Sequence, residues 1–253
     1  MTERIKAILT EIEQQKKIKI LYACETGSRA WGFPSPDSDY DVRFVYIHKR
    51  DWYLSLRQRK DSIEHMDGDM DVTGWDIKKC LSLLKKSNGP LIERFQSPIV
   101  YAGERQFAES FKQLIESYYS PTAVFYHHHS MAVKFWESLK DEQELKLKSF
   151  FYLVRSLLSC NWIIEDGSVL PMDIFGLMRK IDREARNRLE GLIKLKASVD
   201  EKFYYSKDAW MNNWIEQMWS RLELSKNNLG ISKADITDLD NFFLKIINEN
   251  ADN

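Results

Sequence analysis

Apolar and polar positions follow two different patterns along this chain, and the first hundred residues are typical of strands mixed with short helices. Ile5, Ile8, Leu9 and Ile12 recur at helical spacing and predict a short amphipathic helix. The apolar run over residues 18–24 has the length and the β-branched content of a buried strand. The chain is therefore predicted to begin with a helix and a strand.

Three further extended segments are predicted before residue 75. The Gly27-Ser28 turn is followed by a segment rich in glycine and proline, and then residues 41–47 (DVRFVYI) predict a second strand. Residues 62–66 and 70–74 predict two more strands, and the Asp67-Gly68 pair between them favours a hairpin turn. This half of the chain therefore contains enough strands for a small sheet.

From Trp75 onwards the spacing of apolar residues is helical. A first helix is predicted to end at the sequence Asn88-Gly89-Pro90, and strand-like alternation disappears beyond about residue 103. Six later segments carry apolar residues three to four apart: 107–119, 122–139, 145–164, 173–196, 209–224 and 237–247. The predicted fold class is α/β (α+β), with a small mixed-sheet domain in residues 1–104 followed by an all-helical domain in residues 105–253.

Composition and charge limit the class of protein. The 253 residues are 43% hydrophobic and 30% charged with a net charge of -1, which is typical of a soluble globular protein without a strong field for DNA or membranes. The sequence shows neither a signal-peptide pattern nor a run of about 20 apolar residues, so we expect no membrane association. Cys24, Cys80 and Cys160 lie far apart, which indicates no disulfide framework or zinc site and favours a cytoplasmic location.

Three aspartates spaced two apart lie in the sequence GSRAWGFPSPDSDYDVR, just ahead of the second predicted strand. Asp37, Asp39 and Asp41 match the start of a calcium-binding EF-hand loop. That loop requires a glycine and a glutamate at later positions, which here hold Val42 and His48. A solvated acidic turn is the other simple interpretation, because Asp, Ser and Pro are common turn residues.

A metal site would explain the aspartates differently. Because side chains alternate along a strand, Asp39 and Asp41 are expected to project to the same side. Two carboxylates so close repel each other, and a divalent cation between them keeps both ionised. Magnesium suits such a site, since it binds through a few carboxylates together with water and substrate phosphates. The backbone N–H groups of Gly27-Ser28, where a strand passes into a helical turn, are placed to hold those phosphates.

A third carboxylate is expected from another strand of the same sheet. Asp71 lies between Met70 and Val72 in a predicted strand, and a buried carboxylate there indicates a metal ligand or a base. The alternative is an exposed position at the sheet edge. Asp67 and Asp69 compete for this role but fit the hairpin turn better.

The combination Gly27-Ser28, Asp39-x-Asp41 and Asp71 resembles the signature of the DNA polymerase β-like nucleotidyltransferase superfamily. Longer stretches are similar to a predicted nucleotidyltransferase family associated with bacterial RNA-repair operons. These stretches are GSRAWGFPSPDSDYDVRFVY, DWYLSL, DVTGWDIKKCLSLLKKSNGPLIERFQSPIVY and FFYLVRSLLSCNWI. The resemblance implies a polymerase β-like nucleotidyltransferase domain in residues 1–104 and a helical substrate- or nucleotide-binding domain in residues 105–253.

The resemblance also implies roles for individual residues. By position, Asp39 and Asp41 would bind two divalent metal ions, Mg²⁺ or in its place Mn²⁺. Asp71 would complete the catalytic and metal-binding set and assist the attacking hydroxyl, while Gly27 and Ser28 would contact the β- and γ-phosphates of a nucleoside triphosphate. The implied reaction is in-line attack by an acceptor hydroxyl on the α-phosphorus, with pyrophosphate as the leaving group.

Three arginines are candidates for phosphate contacts. Arg29 and Arg43 lie beside the aspartates, where ion pairing with an acidic turn is the alternative role. Arg155 and Tyr152 are three residues apart on one helical face, and a helical domain that closes over a nucleotide would use Arg155 to hold phosphates. A purely structural role is the alternative for Arg155 as well. The predicted nucleotide-binding set is Gly27, Ser28, Arg29, Arg43 and Arg155.

Other chemistry-bearing residues have simpler interpretations. The side chains of His127 to His129 point about 100° apart if they lie on a helix, so the three cannot chelate one ion together. Asp76 is interpreted as the cap or N-terminal charge of the helix that follows it. Trp31 and Trp75 lie near the proposed site, where base stacking and core packing are the two alternatives.

Four functional hypotheses follow. The first is a magnesium-dependent nucleotidyltransferase that acts on an RNA end, and the second keeps this chemistry but modifies a small molecule or a protein hydroxyl. The near-neutral charge favours the second, although Arg57–Lys60 (RQRK) and the lysines near 146 and 194 are able to form a local basic patch. The third is a non-catalytic nucleotide-binding or antitoxin-like partner module. The fourth, a calcium-binding domain, is disfavoured by Val42 and His48.

Overall fold

The computed structural model describes residues 1–225, 229–230 and 235–250. Within these residues the chain forms twelve α-helices, one short 3₁₀-helix (Met178–Lys180) and seven β-strands. The strands are β1 (Ile18–Thr26), β2 (Tyr40–His48), β3 (Ser62–Asp67), β4 (Met70–Asp76), β5 (Val100–Gly103), β6 (Glu144–Lys146) and β7 (Tyr204–Ser206). The helices are α1 (Thr2–Lys16), α2 (Gly27–Trp31), α3 (Arg50–Tyr53), α4 (Ile77–Leu84), α5 (Gly89–Arg94), α6 (Arg105–Tyr118), α7 (Pro121–Leu139), α8 (Leu147–Glu165), α9 (Ile174–Leu177), α10 (Arg183–Lys196), α11 (Ala209–Ser225) and α12 (Ile236–Glu249).

Contacts between residues divide the chain into two units, neither of which is continuous in sequence. The sheet unit comprises Met1–Gly27, Asp39–Tyr119 and the described residues of Lys233–Asn253. The helical unit comprises Ser28–Ser38 and the described residues of Ser120–Ser232. These bounds differ from the predicted division after residue 104, because α6 and α12 group with the sheet and residues 28–38 group with the helices.

Within the described residues, the sheet unit contains one five-stranded mixed sheet. Its strands have the order β3-β4-β2-β1-β5. β2 and β4 run parallel, and every other neighbouring pair in this sheet is antiparallel. The predicted α/β fold with a mixed sheet is therefore confirmed. β5 was not predicted, because a strand of four residues is too short to show alternation clearly.

One face of the sheet is covered by α1. The four apolar residues predicted to face the core from α1 are all buried. They share one apolar cluster with Val42, Phe44 and Tyr46, which are alternate residues of β2. Since side chains alternate along a strand, Asp41 and Arg43 project from the opposite face.

The opposite face is covered by α4 and α5. The carboxylate Oδ1 of Asp76 accepts a hydrogen bond from the N–H of Lys78 at 2.8 Å, so the predicted cap of α4 is confirmed. Asn88 caps α5 in the same way, accepting from the N–H of Leu91 at 3.1 Å. Both helices thus begin at residues that the sequence marks as helix boundaries.

Aromatic contacts hold α6 and α12 in the sheet unit. The ring of Phe95 stacks on that of Phe111 in α6, with 4.1 Å between the centroids. Phe242 of α12 contacts Phe107 at 6.1 Å and Phe111 at 5.9 Å. These rings form a continuous apolar layer, which is why α6 and α12 group with the sheet.

The helical unit consists of helices and one short pair of strands. α7 and α8 are its longest helices in the described residues, and they pack against each other. β6 and β7 pair antiparallel, with Leu145 opposite Tyr205. The helical spacing of this half does not predict the pair, because strands of three residues carry no readable period.

Residues 28–38 belong to the helical unit through polar contacts. Lys196 Nζ donates to Ser35 Oγ at 2.8 Å, and Ser38 Oγ donates to Glu201 Oε1 at 2.9 Å. The N–H of Glu201 donates to Asp37 Oδ1 at 3.0 Å. The sequence places this segment between two strands of the sheet, and these side-chain contacts explain why it groups elsewhere.

None of the helices in the described residues has the length and apolar content that a membrane span requires. Cys24, Cys80 and Cys160 are free thiols, and all three are buried.

Candidate active site

Two of the predicted carboxylates lie next to each other where β2 and β4 begin. The parallel register of these strands places Asp41 directly beside Asp71. Neighbouring strands are about 4.8 Å apart, so the two side chains start within reach of a common partner. The expectation that a second strand supplies a carboxylate beside Asp41 is therefore met by the sheet register.

Arg43 joins these two carboxylates. Its Nη2 donates to Asp41 Oδ1 at 3.0 Å and to Asp71 Oδ2 at 2.8 Å. Its Nη1 donates to the main-chain oxygen of Asp71 at 2.8 Å. The Arg43 side chain is only 18% exposed, so its charge is partly shielded from water. A single guanidinium thus supplies the positive charge that two adjacent carboxylates require.

Gly27 packs against the carboxylate of Asp41. Its φ of 62° lies in the left-handed region, and it begins α2 immediately after β1. A Cβ atom at this position would lie 2.0 Å from Asp41 Oδ2. Only glycine fits, because any side chain would displace the Asp41 carboxylate.

The main chain of Asp41 is held by two side chains of β1. Glu25 Oε1 accepts the N–H of Asp41 at 2.7 Å, and Thr26 Oγ1 donates to the carbonyl of Asp41 at 3.0 Å. Glu25 is completely buried, and its other oxygen accepts the Tyr101 hydroxyl. These contacts fix the backbone from which the Asp41 carboxylate projects.

Asp39 lies one residue before β2 begins, and it is exposed. The N–H of the next residue, Tyr40, donates to the carbonyl of Asp69 at 2.8 Å, which joins this segment to the start of β4. Because Asp39 is outside the strand, its projection to the same side as Asp41 stays a prediction.

Comparison with known proteins identifies the family. The model of the RNA repair pathway DNA polymerase beta family matches residues 1–245. The chain belongs to this family. The resemblance predicted from the glycine, serine and aspartate spacing is thereby confirmed, and it places the chain in a nucleotidyltransferase-like family of an RNA repair pathway.

Two individual proteins are also similar to this polymerase beta family member. The uncharacterized protein YcgL of Bacillus subtilis (strain 168) is 38% identical over 253 residues, which are 98% of this chain and 97% of that protein. The crystal structure of a nucleotidyltransferase-like protein from Exiguobacterium sibiricum 255-15 matches 88% of this chain and 74% of its own. With 8% identity and a TM-score of 0.32, that structural likeness carries no argument.

Ser28 and Arg29 of this family member follow Gly27 directly, and both group with the helical unit. Ser28 is buried, and its carbonyl accepts from the N–H groups of Gly32 and Phe33 at 3.1 and 3.0 Å. Arg29 Nη2 donates to the carbonyl of Ser38 at 2.6 Å. The helical turn predicted after the first strand is present as α2, and the phosphate contacts of Ser28 and Arg29 stay predictions.

Arg155 also lies in the helical unit, where it is buried. Its Nε and Nη2 donate to the carbonyl of Met172 at 3.2 and 3.1 Å, and its guanidinium lies 4.4 Å from the ring centre of Trp31. Tyr152 contacts the same tryptophan edge-on at 5.1 Å. Tyr152 and Arg155 therefore share a helical face as predicted, and on that face they pack against Trp31.

Magnesium is the ion that the family resemblance implies, and its fit depends on Arg43. The Asp41 and Asp71 carboxylates offer oxygen ligands, and their side chains are 30% and 38% exposed. No cluster of three or more His, Cys, Asp or Glu is arranged to hold a metal ion in the residues that the structure describes. The two carboxylates fit magnesium by their chemistry, and the Arg43 guanidinium, which bonds to both, shows that a positive charge is stabilised beside them.

Several contacts at this site were missed by sequence reasoning. Glu25 and Tyr101 support Asp41, and Thr73 Oγ1 donates to Asp71 Oδ1 at 3.1 Å. The signal for Glu25 was present, since it is a charged residue that directly follows the apolar run Ile20–Cys24 and lies two residues before Gly27. Tyr101 gave no signal, because its role depends on a strand that pairs with β1 across a large sequence separation.

Proposed function

We propose that this chain is a magnesium-dependent nucleotidyltransferase that moves a nucleoside monophosphate from a nucleoside triphosphate to a hydroxyl at an RNA end. The observation that carries the proposal is the register of β2 and β4, which sets Asp41 beside Asp71 with the Gly27 turn packed on Asp41. Membership of a nucleotidyltransferase-like RNA repair family supports the reaction class and makes RNA the favoured acceptor.

Each residue has a distinct task in this reaction. Asp39, Asp41 and Asp71 hold the divalent ion, and Asp71 also accepts the proton of the acceptor hydroxyl. The N–H groups of Gly27 and Ser28 bind the β- and γ-phosphates. Magnesium held by these carboxylates would supply positive charge against the triphosphate. Arg43 orients Asp41 and Asp71 through its ion pairs before substrate binds, and afterwards it contacts the phosphates.

The chemistry is a direct displacement at phosphorus. The acceptor oxygen forms a bond to the α-phosphorus, and the bond from that phosphorus to the oxygen bridging the α- and β-phosphates breaks. The hydroxyl proton passes to the carboxylate, and pyrophosphate leaves. Positioning and charge neutralisation supply most of the rate enhancement in such reactions.

Binding of the nucleotide is tested by thermal unfolding. We expect a nucleoside triphosphate with magnesium to raise the melting temperature of the wild type but not of the Asp39→Asn, Asp41→Asn double variant. Asp69→Asn is the matched control, since Asp69 lies in the hairpin turn and is exposed. A wild type that shows no shift with any triphosphate would contradict the proposal.

Transfer is tested by incubating the protein with α-labelled triphosphates and RNAs that differ in their end groups, with a cell extract as a source of other acceptors. Label on RNA supports an RNA-end transferase. Label on a metabolite or a protein keeps the reaction but replaces the acceptor. No label in any fraction, together with a thermal shift, indicates a non-catalytic nucleotide-binding module.

A further inference from the structure

A pocket lies in the sheet unit, where β2 ends. Its lining includes Lys16, His48, Trp52, Arg59, Lys60 and Glu64, and its volume is about 460 Å³. This volume lies in the range of about 300–1,000 Å³ that is typical of sites for small ligands. We name it the basic pocket.

The basic pocket is separate from the candidate active site. His48 follows Asp41 by seven residues along β2, which corresponds to roughly 23 Å at about 3.3 Å per residue. His48 also belongs to the alternate series of Val42 and Tyr46, on the face covered by α1, whereas Asp41 projects from the other face. A single nucleotide cannot occupy both sites.

Positive charge dominates the basic pocket. Lys16, Arg59 and Lys60 are exposed and form no ion pair within the part of the chain that the structure describes. Glu64 is the carboxylate in the lining. An adjoining pocket is lined by Lys17 and Lys49, among other residues, so the positive surface extends past the basic pocket.

Planar groups accompany this charge. The rings of His48 and Trp52 stack, with 4.0 Å between their centroids and 9° between their planes. The guanidinium of Arg59 lies 5.4 Å from the centre of the Trp52 ring. Burial, with a smaller effect from Arg59, lowers the pKa of His48 to about 4, so its ring is neutral at pH 7. Aromatic rings and guanidinium planes are the groups on which unpaired bases stack.

We propose that the basic pocket binds single-stranded RNA, with Lys16, Arg59 and Lys60 contacting phosphates and a base stacking beside Trp52. The positive surface spans more than one pocket, which fits a strand with several phosphates better than a mononucleotide. The choice of RNA among polyanions rests on the proposed function. In this proposal the basic pocket binds a part of the RNA acceptor other than the end that reacts.

The test is a titration of a fluorescently labelled, unstructured oligoribonucleotide, followed by anisotropy without any triphosphate. We expect Arg59→Glu and Lys60→Glu each to weaken RNA binding about tenfold or more. Replacement of either residue by alanine should reduce the slope of log affinity against log salt concentration by about 0.7 for each lost phosphate contact. Lys112→Glu is the matched control, because Lys112 is an exposed lysine on α6 outside this pocket. Its affinity should equal that of the wild type.

Stacking is tested at Trp52. We expect Trp52→Ala to weaken binding by about fivefold to 100-fold and Trp52→Phe to retain most of the affinity, since any aromatic ring offers a stacking face. Because Trp52 is partly buried, each variant is first checked for an unchanged melting temperature. If Trp52→Ala does not fold, the variants of the exposed residues Arg59 and Lys60 still test the proposal.

The outcomes separate this inference from the proposed function. RNA binding that survives in the Asp39→Asn, Asp41→Asn variant and falls in the pocket variants supports the basic pocket, whether or not transfer occurs. Wild-type protein that shows a thermal shift with triphosphate but binds no RNA overturns the inference alone. RNA binding that is equal in pocket and control variants overturns it, as does competition by a mononucleotide at the same concentration of phosphate.

Discussion

Gly27 is constrained by its backbone angle and by its neighbour at the same time. Gly68 has the same φ of 62°, but a Cβ there meets nothing within 4 Å. A substitution at Gly68 therefore measures the backbone effect alone, whereas one at Gly27 measures the backbone effect together with the clash. We expect Gly68→Ala to cost about 1 kcal/mol of unfolding free energy, from the left-handed backbone alone. Gly27→Ala should cost about 2 kcal/mol more, because Asp41 must move. Denaturant unfolding of both variants measures the difference, and equal losses would contradict the packing argument.

Arg43 supplies the charge that balances Asp41 and Asp71. We expect Arg43→Met to lower the unfolding free energy by about 1–2 kcal/mol. The loss is this small because the ion pairs are partly exposed, and breaking a partly exposed ion pair costs less than breaking a buried one. Magnesium should then raise the melting temperature of Arg43→Met more than that of the wild type, since the ion no longer competes with the guanidinium.

A double variant checks this explanation. Adding Asp71→Asn to Arg43→Met removes the repulsion between the carboxylates and should restore part of the lost stability. An equal effect of magnesium on wild type and Arg43→Met would show that the ion does not bind between these carboxylates.

At the scale of elements, the strands near the site were predictable and their partners were not. The predicted segment 41–47 lies inside β2, and 62–66 and 70–74 lie inside β3 and β4. Alternation of apolar residues identifies a strand but not its neighbour. The parallel pairing of β2 with β4, which sets Asp41 beside Asp71, follows from packing across the whole sheet. The two aspartates, and an ion pair of Arg43 with the aspartates beside it in sequence, could therefore be nominated from sequence, whereas the bridge from Arg43 to Asp71 could not.

The start of α4 carries a pH-sensitive carboxyl. Asp76 is buried and accepts the Tyr53 hydroxyl at 2.8 Å. Burial raises the pKa of Asp76 to about 6 from the ordinary value of 3.8. Between these values the folded state binds more protons than the unfolded state, so stability falls as pH rises through this window.

The expected change is about 2 kcal/mol between pH 4 and pH 7, at about 1.4 kcal/mol for each pKa unit, because the unfolded carboxyl is already partly ionised at pH 4. Asp76→Asn keeps an oxygen that can cap α4 and has no proton to lose. The unfolding free energies of wild type and Asp76→Asn are measured across this pH range and subtracted. Because His48 titrates in both proteins, the difference reports the contribution of the Asp76 carboxyl alone. A difference independent of pH would contradict the raised pKa.

At the scale of the whole molecule, the division of the chain is the least predictable feature. Composition changes near residue 104, but Phe95 before that point stacks on Phe111 after it. Helical spacing shows that a segment is a helix and not which unit it joins. For the same reason no sequence pattern predicts that residues 28–38 group with the helices through Ser35, Ser38 and their partners.

A fragment of residues 1–104 is therefore expected not to fold cooperatively. It lacks α6 and α12, so Phe95 loses Phe107 and Phe111, the aromatic rings of α6 that it contacts. Circular dichroism during denaturant unfolding should show a broad transition, and a hydrophobic dye should bind the fragment but not the full chain. A fragment of residues 1–119 regains Phe111 and should bind less dye. A sharp transition for residues 1–104 would favour the division predicted from the sequence.

The order of elements along the chain, in which α12 follows the helical unit, also affects biosynthesis. A ribosome releases the strands of the sheet first, then the helical unit, and only then Phe242, which meets Phe107 and Phe111. During translation the aromatic layer of the sheet unit stays open until Phe242 has emerged. A premature stop codon ahead of α12 would leave that layer uncovered, and the product would be a substrate for chaperones and proteases rather than a shorter folded protein.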